Sequence, residues 1–154
     1  MESFLPVPFI VPGAKLGLAN IVNLITLVLF GFRYAIAVSI VRCVVVVLGT
    51  GVVTSFFYSI VGAGLSTFFM WIIMRKFSSY FSLIGVSIFG AMAHNIGQLT
   101  VASLMVQNPL IFTYLPIMML MSLFTGYFVG LTSIYATPRL SRILDKNDSL
   151  NYMN

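Results

Sequence analysis

The sequence predicts an all-α fold, a polytopic bundle of membrane helices, and three observations carry that expectation. Hydrophobic residues make up 60% of the 154 residues and charged residues 7%, against about 25% charged in a soluble domain; the mean hydropathy is +1.07. The apolar residues fall in continuous runs rather than alternating, which disfavours a β-barrel. Most of the few charges sit at the ends of those runs.

Met1 to Gly13 carries Pro6, Pro8 and Pro12. Proline at this spacing blocks a helix and favours extended backbone, so the segment reads as an extramembrane loop or lid. The first helix is expected over Leu16 to Phe30, closed by Gly31, with Asn20 and Asn23 on one face. The second runs from Tyr34 to about Val53 and holds Arg42 near its middle. The third covers Ser55 to Met74 and ends on Arg75 and Lys76. The fourth covers Ser82 to Val106 and is broken by Asn108-Pro109. The fifth runs from Ile111 to about Ala136, and the polar stretch from Thr137 is expected to be cytoplasmic and partly disordered. In domain terms, residues 1–140 form an integral membrane helical domain and 141–154 a polar cytoplasmic tail. A span needs roughly 20 residues. The third, fourth and fifth runs meet that, and the first two are short or re-entrant.

Orientation follows from the basic residues. With five transmembrane helices, one face receives Arg33, Arg75, Lys76, Arg139, Arg142 and Lys146, and the other only Lys15. The C-terminus is therefore expected inside and the N-terminus outside, as a multi-pass protein of the cell membrane.

No carboxylate side chain occurs from Ser3 to Leu144. That removes the carboxylate pair of general acid–base chemistry and an acidic Mg²⁺ site. No Cys/His metal constellation, Gly-rich phosphate loop or Ser/His/Asp set is present either. The expectation is a non-enzyme with no metal and no cofactor. Basic residues scattered over loop ends do not make a nucleic-acid stripe. Cys43 is alone, so no intrachain disulfide forms.

The polar residues inside the apolar runs are the candidate site. His94, Asn95 and Gln98 lie in the stretch Ala91 to Ala102. Their spacing of three and four places them as neighbours on an arc of the helix, and such groups are expensive at mid-bilayer. Two readings stand: helix–helix glue, at about 0.6–2 kcal/mol per polar contact, or ligand contact. Arg42 has no acid in reach along the sequence. Its partner is amide or backbone oxygen, water, lipid phosphate or an anionic ligand, unless it snorkels to an interface. Lys15, with Asn20 and Asn23, lies near the start of the first helix, where free backbone N–H groups favour an anion; an interfacial lysine is the alternative. Gly126 and Gly130 form a GxxxG, and Ala35 and Ser39 repeat the small-residue spacing, for close helix approach within the chain or with a partner.

Several of these motifs also carry a resemblance. Pro12 to Ile21, then Arg42, Ser82 to Ser87, Ala93-His94-Asn95-Ile96-Gly97-Gln98-Leu99 and Tyr114-Leu115-Pro116 resemble the bacterial Gx transporter family, also labelled heptaprenyl diphosphate synthase component I, over about residues 3–140. That family is in turn similar to the substrate-binding S components of energy-coupling factor transporters. The resemblance implies a six-helix membrane protein that captures a vitamin-like solute from outside. It also implies a coupling membrane subunit and ATPases as partners. The family has a hydrophobic helix ahead of the Glu2–Pro6 region, so an upstream in-frame start or a shortened form is expected here. The proline-rich segment becomes the outer loop that lids the substrate. Prenyl diphosphate elongation needs Mg²⁺ held by aspartate-rich motifs, which this chain does not supply.

The functional expectation is therefore a substrate-binding transporter subunit for a small anionic solute. Lys15, Asn20, Asn23, Arg42, His94, Asn95 and Gln98 would line the path. The alternative is a non-catalytic membrane subunit associated with heptaprenyl diphosphate synthesis.

Overall fold

In a computed structural model, residues 12–51, 53–77 and 80–151 are described, the side chains of 12–19, 50, 55 and 145–151 excepted. Five α-helices follow one another: α1 Pro12–Phe30, α2 Phe32–Thr50, α3 Thr54–Phe77, α4 Leu83–Val106 and α5 Leu115–Asn151. A short 3-10 helix, Pro109–Tyr114, leads into α5. The described residues contain no strand. Apolar stretches long enough to cross a membrane cover Phe32–Gly49, Phe56–Phe77 and Pro109–Leu144, and Asn20–Phe30 is a shorter one. The expected lid, residues 1–11, and the Lys15 side chain lie outside the described residues.

The helix ends follow from local chemistry. Gly31, at φ +87°, reverses the chain between α1 and α2 in a single residue, and Gly51, at φ +70°, closes α2 with its N–H on the Val47 carbonyl. Left-handed backbone of this kind favours glycine. Asn108 caps the 3-10 helix by accepting from the Leu110 N–H at 3.0 Å. α5 begins at Leu115, later than Ile111, because Pro116 is tolerated in a first helical turn. At its other end α5 continues through Pro138 to Asn151. The expected stop near Ala136 came from a change in polarity, which marks a change of solvent rather than the end of a backbone helix.

Each helix packs on its neighbour in sequence, and α5 closes on α1, so the bundle is a five-membered ring. Hydrogen bonds set the register. Asn20 meets Arg42 and Asn23 meets Ser39; three residues forward on α1 are three back on α2, so the two run antiparallel. The facing pairs Gly126–Ile88 and Gly130–Ile84 give the same relation for α4 and α5. With successive helices antiparallel, an odd ring leaves α1 and α5 as parallel neighbours.

Small residues bring the backbones together. A Cβ on Gly126 would lie 2.6 Å from the Ile88 Cα, and one on Gly130 would meet the Ile84 Cα. The GxxxG therefore serves a contact inside the chain, between α5 and α4. Between α3 and α4 the close approach is at Gly62 and Gly97, where a Cβ on Gly97 would lie 3.0 Å from the Gly62 Cα. By contrast, Gly64 has open space around its Cβ position and lines a cavity of about 150 Å³ with Ile36, Cys43 and Ala63. Gly64→Ala is expected to stabilise the protein by about 0.5–1 kcal/mol, since glycine in a helix interior is unfavourable relative to alanine. Thermal denaturation in detergent checks this, and a lowered transition would contradict it.

The interior divides in two along its length. Leu24, Leu27, Ala35, Met70, Ile73, Val86 and Val129 form an apolar core in the half that leads to the α1–α2 and α3–α4 connections. That end carries Arg33, Arg75 and Lys76, with Arg75 stacked 5.3 Å over the Trp71 ring. Arg139 and Arg142 lie just beyond it on α5. The polar candidate residues lie toward the other half.

Candidate functional site

Two of the expected residues, Asn20 and Arg42, form a pair across α1 and α2. The Arg42 Nη1 donates to the Asn20 Oδ1 at 3.0 Å. Among the described residues this is the only side-chain hydrogen bond of a group with five N–H donors. Arg42 is partly buried, and no carboxylate side chain is described anywhere in the bundle.

Asn23 lies one turn toward the core and is satisfied. Its Nδ2 donates to the Thr67 Oγ1 at 2.8 Å, and its Oδ1 accepts from the Ser39 Oγ at 3.1 Å. Ser39 and Thr67 are 3.2 Å apart, and Thr67 donates to the Ala63 carbonyl. All three side chains are buried. Their closed network ties α1, α2 and α3 together, so Asn23 is placed as interhelical glue.

The structure splits the arc His94–Asn95–Gln98. α4 is sandwiched between α3 and α5, and adjacent residues on a helix point about 100° apart. Asn95 faces α5: its Nδ2 donates to the Met118 carbonyl at 2.9 Å and to the Ser122 Oγ at 2.6 Å. Asn95→Ala is expected to cost about 1 kcal/mol, the usual scale of an interhelical polar contact in a membrane. The Ser122 hydroxyl keeps its own bond to the Met118 carbonyl. A shift in the melting transition measures the loss, and an unchanged transition would contradict it.

His94 and Gln98 face α3 at Gly62. His94 is 3% exposed, yet neither Nδ1 nor Nε2 has a hydrogen-bond partner. The Gly62 backbone lies beside the ring without completing a hydrogen bond to it. The Gln98 amide likewise makes none among the described residues. A buried polar group left in the state of the His94 ring costs about 1–3 kcal/mol; Gln98 is only partly buried. Both side chains crowd one point: a Cβ on Gly62 would lie 2.9 Å from the Gln98 Cγ and 3.0 Å from the His94 Nδ1. Arg42 shares this level. Ser39 opposite Thr67 sets Arg42 opposite Gly64, and the Gly62 contacts set His94 beside the same turn of α3.

Sequence reasoning missed Ser39 as a polar partner, and Thr67 and Ser122 altogether. A single hydroxyl in an apolar run gives little signal, because it bonds its own helix backbone, as Thr67 and Ser122 do.

Among the described residues this is an all-helical bundle with three apolar stretches long enough to cross a membrane, an arginine paired only with an amide, and a buried imidazole without a completed hydrogen bond. The family model for heptaprenyl diphosphate synthase component I matches residues 1–136. The chain belongs to that family, in agreement with the resemblance of its motifs. Searches of curated proteins and of solved structures return no match.

Proposed function

We propose that the chain is a non-catalytic, membrane-embedded binding subunit for a small anionic solute. The observation that carries this is Arg42: a partly buried charge whose one side-chain hydrogen bond among the described residues is to an amide, level with a buried imidazole whose ring nitrogens complete no hydrogen bond there. Intramembrane charges are costly and mark ligand or ion sites by default. The reading takes all five helices as spans. The ends carrying Arg33, Arg75 and Lys76 lie inside, in keeping with the excess of basic residues on cytoplasmic loops. The polar half then opens outward, and the setting is the bacterial cytoplasmic membrane. No nucleotide-binding motif occurs in the chain, so transport would draw on an energy-coupling membrane subunit and ATPases as partners.

A second reading has an observation of its own. The family description speaks of a first component of a synthase, which implies a second. The chain would then be the membrane subunit accompanying a soluble prenyl diphosphate synthase that supplies the metal-binding acids. Native mass spectrometry of the gently extracted protein separates the two. A bound small anion supports the solute subunit; a synthase component without a small molecule supports the accessory role. Neither would leave the polar groups as interhelical glue.

A further inference from the structure

Near its basic end α5 outruns the bundle. Gly130 already faces Ile84, and α4 begins at Leu83, so from Leu131 onward the last helix runs past the start of its neighbour. Along this segment Leu131, Thr132, Tyr135, Ala136, Arg139 and Leu140 line a groove of about 490 Å³. The groove lies near the end of the apolar stretch Pro109–Leu144, which is long enough to cross a membrane. Its lining changes character toward the basic end: Leu131 and Ala136 are apolar, Tyr135 is an exposed ring with a hydroxyl, and Arg139 is an exposed cation. Arg142, also exposed, stands three residues on and is a helical neighbour of Arg139. Neither guanidinium makes a hydrogen bond or an ion pair among the described residues.

We propose that this groove is a site for one anionic phospholipid of the membrane, with the phosphate on Arg139 and Arg142, Tyr135 at the level of the headgroup, and an acyl chain running back along Ala136 and Leu131. Charge decides among the occupants. A zwitterionic lipid would bring its own cation to the two arginines. A further apolar helix would leave both guanidiniums without a counter-charge. A free anion would leave the apolar wall uncovered. An anionic lipid suits both halves of the groove. Guanidinium forks bond phosphate oxygens in pairs, tyrosine rings sit at membrane interfaces, and basic residues beside a membrane segment attract anionic headgroups. The site requires that α5 spans the bilayer. It holds equally whether the chain binds a solute or accompanies a synthase.

The test uses the full chain, delipidated in mild detergent, with equimolar phosphatidylglycerol and phosphatidylcholine of the same acyl chains. Native mass spectrometry reads which lipid is retained. Phosphatidylglycerol is expected at least about fivefold over phosphatidylcholine, the scale that one basic residue contributes beside an anionic headgroup. Arg139→Gln combined with Arg142→Gln should bring the ratio close to one. Arg75→Gln combined with Lys76→Gln removes the same charge from the same end of the bundle, but on α3, which is not a neighbour of α5 in the ring, and should leave the ratio unchanged. Thr132→Trp fills the groove from an exposed position and should reduce retention of phosphatidylglycerol. Glycerol phosphate, the headgroup without chains, should not be retained. Equal retention of the two lipids, a ratio that survives loss of both α5 arginines, or one that falls as far with the α3 pair overturns the site. Retention unaltered by Thr132→Trp, or glycerol phosphate held as well as the lipid, overturns it too, since the chain would then lie outside the groove.

Discussion

Gly130→Leu is expected to abolish the folded state in mild detergent. A Cβ at this position runs into the Ile84 Cα, and the nearby Ile84 N and Leu83 carbonyl close off the alternatives. Overpacking a core costs about 1–3 kcal/mol when side chains can yield. Here the obstacle is backbone, and leucine adds three further carbons, so the loss lies at or above the top of that range. The only relief is to separate α5 from α4, which breaks the contact at Gly126 and strains the Asn95–Met118 bond. Gly49→Leu is the matched control, since a Cβ on Gly49 meets nothing within 4 Å. Size-exclusion profiles and thermal melts of the two variants decide the matter. A Gly130→Leu protein that melts like its control would show that α4 and α5 do not depend on this approach.

The second large effect concerns binding rather than folding. If the proposed solute binding holds, Arg42→Ala is expected to weaken retention of a co-purified anion by about 100-fold, the upper end of what a charge-assisted hydrogen bond contributes, because among the described residues only one guanidinium donor is paired. The same change should leave the protein at least as stable as before. Among the described residues Arg42 has one side-chain hydrogen bond, to Asn20, and no counter-ion, so its removal relieves a desolvated charge. Arg42→Lys should fall between, since an ammonium keeps the charge and loses the forked geometry. Loss of binding with an unchanged or raised melting transition is the signature of a ligand-directed charge. A large drop in stability would make Arg42 a structural residue instead.

The number of helices and their approximate limits are legible in the sequence because lipid-compatible runs are long and their interruptions chemical. Gly31, Gly51 and Asn108-Pro109 stand where the chain turns. The far end of α5 is not legible, since nothing in Arg139 to Asn151 opposes a helix once one has started. The polar positions are legible as residues, but their partners are not. Spacing places His94, Asn95 and Gln98 on one arc, and only the presence of helices on both sides of α4 separates them, Asn95 to α5 and His94 to α3. In the same way, Asn20 and Asn23 share a face in the sequence and divide in the structure. Asn20 holds a charge, whereas Asn23 is absorbed by Ser39 and Thr67.

The parallel contact between α1 and α5 dictates an order of assembly. Antiparallel neighbours are joined by short connections and can zip together as soon as both are formed, at small loop-closure entropy. The α1–α5 seam joins segments nearly a hundred residues apart and has no connection of its own. Until α5 is in place, Leu24 and Leu27 of α1 have no Val129 to pack against, and Asn95 of α4 has no Met118 carbonyl to bond. Helix α5 is therefore the one that shuts the ring: before it is in place α1, α2 and α3 can already share the Asn23–Ser39–Thr67 network, while α4 has an unpartnered face at Ile84, Ile88 and Asn95.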